Sequence, residues 1–307
     1  MTAVSGSDIP PLVEHGSVPR SISTRIKDIW EFRELLGNLV RRELKVRYKD
    51  SFLGFIWTLL NPLLYLAVFS VVFGFILKGS PPRYGLLLLS GLLVWNLFSV
   101  GLSSATSSIV GNGALVQKVW FPREILPLAA VGASFVSFCF QMIVLVAGLT
   151  AFGHVPELSM LWLLVPGMLI TMMLATGLGL ILGAYNVYYR DTMHFLELGL
   201  LAWFWFSPIV YTFDFVADEA QMIGPFNSQL ITGLNPMMGP MVAFQRVLYN
   251  PENLTQIEQD TYFSLMLDHG VGFFVALLAI SFVFAVVALA IGIRTFSRLE
   301  GDFGEAI

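Results

Sequence analysis

The chain has 307 residues and a net charge of −4, and 56% of its residues are hydrophobic while only 12% are charged. A soluble domain carries about 25% charged residues, which its surface requires, so the composition excludes a soluble globular protein. The apolar residues also form runs of the roughly 20 residues that cross a bilayer as a helix. The sequence therefore predicts an all-α polytopic membrane protein.

Two segments precede the first long apolar run. Residues 1–21 are rich in Ser, Pro and Gly and predict a flexible cytoplasmic tail. In residues 22–48 apolar side chains recur at helical spacing, and basic side chains such as Arg25 and Arg33 occupy the other positions. This pattern predicts an amphipathic helix in the membrane interface. The alternative is a helix that packs on a neighbouring soluble domain.

Six apolar segments follow and predict six transmembrane helices. They cover approximately residues 53–77, 84–110, 125–152, 158–185, 195–213 and 271–293, and Pro208 breaks the fifth. Between the fifth and the sixth, the apolar pieces 230–234 and 237–248 are too short to span. We expect these pieces to dip back into the membrane or to cap its outer face, where surrounding protein can satisfy their backbone.

Basic residues are concentrated on one side of these segments. If the amino terminus lies in the cytoplasm, only Lys78, Arg83 and Arg246 of the 17 basic residues lie outside. Short loops that carry the excess of Lys and Arg stay in the cytoplasm. The pattern predicts a multi-pass protein with both termini cytoplasmic.

The sequence shows no recognisable catalytic or metal site. It lacks the GxxxxGK[ST] phosphate loop, and His15, His154, His194 and His269 have no ligand spacing. The apolar segments contain almost none of the ionisable groups that a proton relay needs. We therefore expect no cofactor in this chain and, if it transports, a separate subunit as the energy source. Cys139, within an apolar run, predicts a small buried apolar side chain.

The loop after the second segment is the most informative local feature. Gly111 and Gly113 predict a sharp turn, and Pro122 predicts a stop. Between them fits one short amphipathic helix with Lys118 and Trp120 near its end. Such a helix suits a groove of a cytosolic partner. A plain connecting loop is the alternative.

Aromatic residues in two segments are candidate contacts for a ligand with apolar faces, such as a sugar. Tyr65, Phe69 and Phe73 recur at i, i+4 and i+8 and share one face of the first span. The outer half of the fifth span is crowded with aromatic residues, among them Trp203, Trp205, Phe206 and Tyr211. Aromatic faces stack on sugar rings while they let a glycan slide. The alternative is an aromatic belt at the membrane interface or packing against lipid.

Four motifs occur in order between about residues 30 and 298. They are RYKDS with LGFIWTLLNP at 47–51 and 53–62, KVWFPREILP at 118–127, YRD at 189–191, and LNP at 234–236. Together they resemble the ABC-2 type permeases, in the branch that exports O-antigen polysaccharides and teichoic acids (Wzm/TagG-like). Residues 49–307 would then be an ABC-2 transmembrane domain with re-entrant outer gate helices between spans 5 and 6.

The resemblance implies a transport permease of the bacterial inner membrane that is not itself an enzyme. Its cargo would be an undecaprenyl-diphosphate-linked polysaccharide, either O-antigen-like or a cell-wall galactan. The implied partners are two copies of a cytosolic ABC ATPase, which would bind ATP and Mg²⁺, and a second copy of this chain. Membrane lipids complete the set, and no nucleic acid is expected.

The resemblance also implies roles for single residues. ATPase coupling would involve Gln117, Lys118, Val119, Trp120, Phe121, Arg123, Arg190 and Asp191, although the last two are equally consistent with a local salt bridge at a helix end. The glycan pathway would include Tyr65, Phe69, Phe73, Trp203, Trp205, Phe206 and Tyr211. Two other functions stay open: an ABC-2 permease for drugs or small lipids, and a membrane glycosyltransferase using Asp214, Asp218 or Glu219.

Overall fold

The computed structural model describes residues 22–49, 84–151, 153–211, 213, 234–249 and 270–306, with isolated positions between 56 and 72. These residues are largely helical, and no strand occurs among them. The helices are α1 (Ile22–Glu31), α2 (Arg33–Tyr48), α3 (Tyr84–Gly111), α4 (Gly113–Lys118), α5 (Ile125–Ala151), α6 (Leu164–Tyr188), α7 (Thr192–Trp205), α8 (Met238–Tyr249), α9 (Val271–Leu299) and α10 (Phe303–Ala306). Short 3₁₀ turns cover Leu158–Leu163 and Glu300–Asp302.

Four of the predicted spans are found as helices that are long and apolar enough to cross a membrane. They are Gly85–Gly111, Ile125–Thr150, Leu158–Tyr188 and Val271–Asp302. These helices correspond to the second, third, fourth and sixth predicted spans. Most of the predicted first span, 53–77, lies outside the described residues, and so do all of residues 1–21.

The predicted fifth span differs from the observed helix. Helix α7 has 14 residues, which gives a length of about 21 Å, and it ends at Trp205, before Pro208. Proline has no N–H and disfavours a helical residue before it. The Phe204 carbonyl, which residue 208 would bond in a continuing helix, instead accepts from the Ser207 N–H at 3.2 Å. The helix therefore ends one turn before the proline.

Helix α6 lies between α3 and α9 and packs against both. Close approach depends on glycine: a Cβ added at Gly177 would lie 2.5 Å from the backbone nitrogen of Leu289 in α9. On the other face, a Cβ added at Gly179 would lie 2.6 Å from the Cβ of Ala105 in α3. Small residues that let helix backbones meet are typical of packing within membranes.

The bundle has two ends. At one end α1, α2, α4, the turn between α6 and α7, and residues 300–306 lie together; we call it the N/C end. At the other end the loop 153–157 contacts the last residues of α8. We call this second region the opposite end.

The amphipathic helix predicted over 22–48 is divided at Phe32 into α1 and α2. Helix α2 packs on α5, where Val40 Cγ2 lies against Gly132 and would be 3.1 Å from an added Cβ. The periodicity put Arg25 on the polar face, but Arg25 is buried in ion pairs. Its partners are distant in sequence, so helical periodicity could not reveal them. The position of α1 and α2 in the membrane interface stays a prediction.

Helix α8 is short and buried along its whole length. The Gly239 N–H, near its start, donates to Ser281 Oγ at 3.2 Å, near the middle of α9. At its end, the Leu248 carbonyl lies 3.1 Å from His154 Nε2, and the Val247 carbonyl accepts from the Glu157 N–H at 2.9 Å. These contacts satisfy carbonyls that a helix end leaves without an intrahelical partner. Helix α8 therefore runs from the middle of α9 to the opposite end.

Candidate functional site

The loop after α3 contains the short helix that the sequence predicts, and α4 is that helix. It is preceded by a turn at Asn112, whose side-chain Nδ2 donates to the Ser108 carbonyl at 2.7 Å. Arg42 of α2 donates to Asn112 Oδ1 at 2.7 Å and so joins the turn to the amphipathic region. Helix α4 is therefore fixed to the N/C end by the residue that precedes it.

The end of α4 presents apolar side chains to the surroundings. Val119 is 53% exposed and Trp120 is 62% exposed, and Gln117 and Lys118 beside them are also exposed. The Trp120 ring meets the Phe32 ring edge-on at 6.2 Å, which holds it near α1. We call Gln117, Lys118, Val119 and Trp120 the coupling tip, after the role that the resemblance predicts for them. Exposed tryptophan beside apolar and basic side chains is typical of a protein-binding surface.

Two of the predicted coupling residues lie behind this tip. Phe121 is only 4% exposed and packs in a cluster with Val116 and Phe303. Arg123 donates to the backbone carbonyl of Glu300, and its guanidinium lies 5.8 Å from the centre of the Phe303 ring. Both side chains support the coupling tip from inside instead of belonging to its surface. Residue spacing could not show this, because Phe303 comes from the far end of the chain.

Arg190 and Asp191 are exposed in the turn between α6 and α7. Asp191 precedes α7, but its side chain makes no capping hydrogen bond. Within the described ranges, Arg190 and Asp191 form no ion pair with each other. The alternative of a salt bridge that caps the helix is therefore not supported. The two side chains add exposed charge to the N/C end.

Sequence reasoning missed a buried charge cluster behind the coupling tip. Arg25 Nη1 donates to Glu124 Oε1, and Arg25 Nη2 donates to Glu300 Oε1 at 3.1 Å. Arg25 and Glu124 are buried, and Glu300 is largely so. No sequence signal could have found the cluster, since the carboxylates lie 99 and 275 positions from the arginine.

The predicted glycan-pathway residues fall into three groups. Tyr65, Phe69 and Phe73 lie outside the described residues. Trp203 is directed into the bundle, where its ring meets Phe98 edge-on at 5.0 Å. The others lie near the end of α7: Trp205 is 54% exposed, Phe206 is 77% exposed, and the hydroxyl of half-buried Tyr211 donates to the Trp205 carbonyl at 3.0 Å. The structure thus separates a packed tryptophan from an exposed aromatic pair.

Asn235 connects the end of α7 to the start of α8. Its Oδ1 accepts from Trp203 Nε1 at 2.9 Å and from the Met237 N–H at 3.0 Å. Its Nδ2 donates to Ser207 Oγ at 3.1 Å and to the Phe206 carbonyl at 3.3 Å. One side chain therefore uses both ends of its amide to hold these two segments together. The asparagine of the LNP motif therefore has a structural role.

The titratable and sulfur-containing side chains that the structure describes form no metal site. Among the described residues, no group of His, Cys, Asp and Glu side chains is arranged to hold a metal ion. His154 contacts a backbone carbonyl of α8, and Cys139 is half-buried against the apolar core. The His154 contact is a hydrogen bond between the loop 153–157 and α8, and the contacts of Cys139 are apolar packing.

Comparison with known proteins gives consistent matches over most of the chain. Residues 34–251 match the family model described as ABC-2 type transporter. The O-antigen export system permease protein RfbA of Myxococcus xanthus is 33% identical over 225 residues, which cover 73% of this chain and 84% of that protein. A protein of the same name from Klebsiella pneumoniae is 31% identical over 195 residues, covering 63% of this chain and 75% of that one. The family match includes α4, the turn after α6, and α8.

Proposed function

The chain belongs to the ABC-2 type transporter family, and from this membership we propose that it is the membrane-spanning subunit of an ATP-driven polysaccharide exporter. The cargo is an undecaprenyl-diphosphate-linked polysaccharide, O-antigen-like or a cell-wall galactan. It moves from the cytoplasm to the outer face of the bacterial inner membrane. The observation that carries this proposal is the similarity to an O-antigen export permease over 73% of the chain.

In this proposal the protein has six spans and its N/C end faces the cytoplasm. The four long apolar helices support a multi-pass arrangement. The basic residues favour a cytoplasmic N/C end, since α1, α2, α4 and the last turn of α9 carry most of them. Segment 53–77 supplies the first span. Helix α7 and the turn after it supply the fifth.

Helix α8 is the proposed re-entrant gate helix. With 12 residues it is about 18 Å long, too short to cross a bilayer. Its start lies near the middle of α9 and its end lies at the opposite end, which becomes the outer face in this orientation. Burial by neighbouring helices is the condition under which such a segment is tolerated within a membrane.

We place the ATPase contact at the N/C end of the bundle. The coupling tip with Arg190 and Asp191 presents exposed apolar and charged groups there, while Phe121 and Arg123 brace it from behind. Two ATPase subunits bind ATP and Mg²⁺ and act on two copies of this chain. In this proposal ATP and Mg²⁺ bind to the ATPase subunits and not to this chain, whose helices are displaced by the movement of those subunits.

We place the glycan pathway beside α7, with a second copy of the chain across from it. Trp205 and Phe206 are exposed on α7 and the turn that follows it, and Phe195, Leu198 and Leu201 are exposed along the same helix. The exposed aromatic rings suit a sliding contact with sugars. Tyr211 adds a hydroxyl beside them. The three aromatic residues of the first span are assigned to the same pathway from their shared face.

Depletion of this chain in its native cell tests the function. Lipid-linked glycans are extracted, sized, and assigned to either membrane face by accessibility to an added glycosidase. Accumulation of full-length polymer on the cytoplasmic face is the expected result. Polymer of reduced length would favour a glycosyltransferase instead, and unchanged glycolipids would favour the export of drugs or small lipids.

A further inference from the structure

Three distant parts of the chain meet at Arg25. This residue lies in α1 and is buried, and its guanidinium bonds two carboxylates. Glu124 lies just after the coupling tip at the start of α5, and Glu300 follows the last residue of α9. One guanidinium thus connects α1, the base of the coupling tip and the end of α9.

A second arginine holds the residues after α9. Arg123 donates to the Glu300 backbone carbonyl and lies over the ring of Phe303. Phe303 is completely buried, and its ring meets Phe296 at 5.3 Å and Tyr188 at 6.2 Å. The Tyr188 hydroxyl also donates to the Leu299 carbonyl at 3.0 Å. Residues 299–303 are therefore fixed to α6 as well as to the base of the coupling tip.

Helix α4 depends on these surroundings for its position. It has six residues, and helices this short are not stable by themselves in water. Its buried Val116 packs in the cluster that contains Phe121 and Phe303, and α10 contacts it directly. The residues after α9 thus form part of the surface against which α4 packs.

A buried ion cluster fixes position more strictly than apolar packing does. Two apolar surfaces can slide while they stay in contact. Separating a buried arginine from its carboxylates leaves uncompensated charges, which is costly. Arg25, Glu124 and Glu300 should therefore move together when α4 is displaced. Apolar contacts alone would let the three segments shift against one another.

We propose that Arg25, Glu124 and Glu300 are positioning residues that join the coupling tip to α1 and to the last spanning helix as one unit. Displacement of α4 by an ATPase then reaches α9 directly through Glu300, and not only through the loops to α3 and α5. This role rests on the proposed function, because it presumes that an ATPase acts on the tip. The residues themselves touch neither nucleotide nor glycan.

The test uses the full permease purified with its cytosolic ATPase and reconstituted in liposomes. The cargo is an undecaprenyl-diphosphate-linked glycan extracted from the native cell. Two quantities are measured: ATP hydrolysed and glycan moved. For Glu300→Gln we expect at least a roughly five-fold loss of glycan moved per ATP hydrolysed, because the coupling between two sites is weakened. Arg298→Gln, an exposed change on the preceding turn, is the matched control and should keep the wild-type ratio.

A charge exchange separates positioning from simple folding. Arg25→Glu combined with Glu300→Arg keeps two carboxylates and one guanidinium in the cluster, so it should recover much of the ratio that each single change loses. All ratios refer to the monodisperse complex, which removes losses through unfolding. A Glu300→Gln complex with the wild-type ratio, or a ratio that the exchange fails to raise, would overturn the positioning role.

The wild-type complex distinguishes the two proposals. If the wild type moves glycan and Glu300→Gln has the same ratio of glycan moved to ATP hydrolysed, only the positioning role is wrong. If the wild-type complex hydrolyses ATP but moves no glycan, the cargo assignment is wrong. The cluster can then still be tested, because the permease should stimulate ATP hydrolysis less when it carries Glu300→Gln. Failure of any ATPase to bind the permease would remove both.

Discussion

Replacing Gly177 by alanine tests how closely α6 and α9 pack. The new Cβ would lie 2.5 Å from the Leu289 nitrogen and 2.6 Å from the Ala288 carbonyl carbon, and both are backbone atoms that cannot rotate away. Favourable carbon contacts need about 3.5–4.0 Å, so the helices would have to separate by roughly 1 Å. Overpacking of this kind costs about 1–3 kcal/mol. Alanine returns up to about 1 kcal/mol through its helix propensity.

Because the atoms met are backbone, we expect the upper part of this range, about 2–3 kcal/mol, and after the helix-propensity gain a net loss of about 1–2 kcal/mol in the free energy of unfolding. The assay measures the apparent melting temperature of the purified protein in detergent. The readout is the fraction of protein that stays monodisperse after heating. Gly148→Ala in α5 is the matched control, because no atom lies within 4 Å of its added Cβ. Gly148→Ala should melt at or slightly above the wild type. A Gly177→Ala protein that melts with this control would refute the close contact between α6 and α9.

Two further pairs of variants test the contacts of the site. Asn235→Ala should cost about 1–3 kcal/mol, since it leaves the Trp203 and Met237 N–H groups without their acceptor. Trp203→Phe removes only one of these donors and should melt closer to the wild type; equal losses would contradict the shared role of Asn235. Trp120→Ala should weaken ATPase binding at unchanged melting temperature, because its ring is exposed. Phe121→Ala should instead lower the free energy of unfolding by about 3–5 kcal/mol, because its ring is buried. A Trp120→Ala protein that melts at a lower temperature than Phe121→Ala would contradict this packing.

Apolar periodicity and chain-breaking residues account for what the sequence predicts correctly. Long apolar runs predict four of the observed helices, since backbone polar groups in lipid must be bonded within the segment. Gly111 and Pro122 likewise bound the short helix that proves to be α4. These features are local, because each depends on residues within one segment of the chain.

Contacts between distant segments account for what the sequence could not reveal. Arg25 has the spacing of a solvent-facing residue in an amphipathic helix, yet it is buried because two carboxylates from elsewhere in the chain meet it. Trp203 and Trp205 are two residues apart in one aromatic run. On a helix, two such positions point in nearly opposite directions, so periodicity separates the two rings. It does not tell which ring faces the bundle; Phe98 and Asn235, which contact Trp203, come from other segments. Whether such a side chain is buried or exposed depends on which segments become neighbours in the fold.

The most direct test of the account is transport by the purified components. The permease and its ATPase are reconstituted in liposomes with the extracted undecaprenyl-diphosphate-linked glycan on the ATPase side. Appearance of full-length glycan on the other side is followed with a lectin that cannot cross the membrane. The account predicts that the glycan crosses only with ATP and Mg²⁺ present and only when the permease is included. Glycan that stays on the ATPase side, while the same complex hydrolyses ATP, would contradict polysaccharide export as the function of this chain.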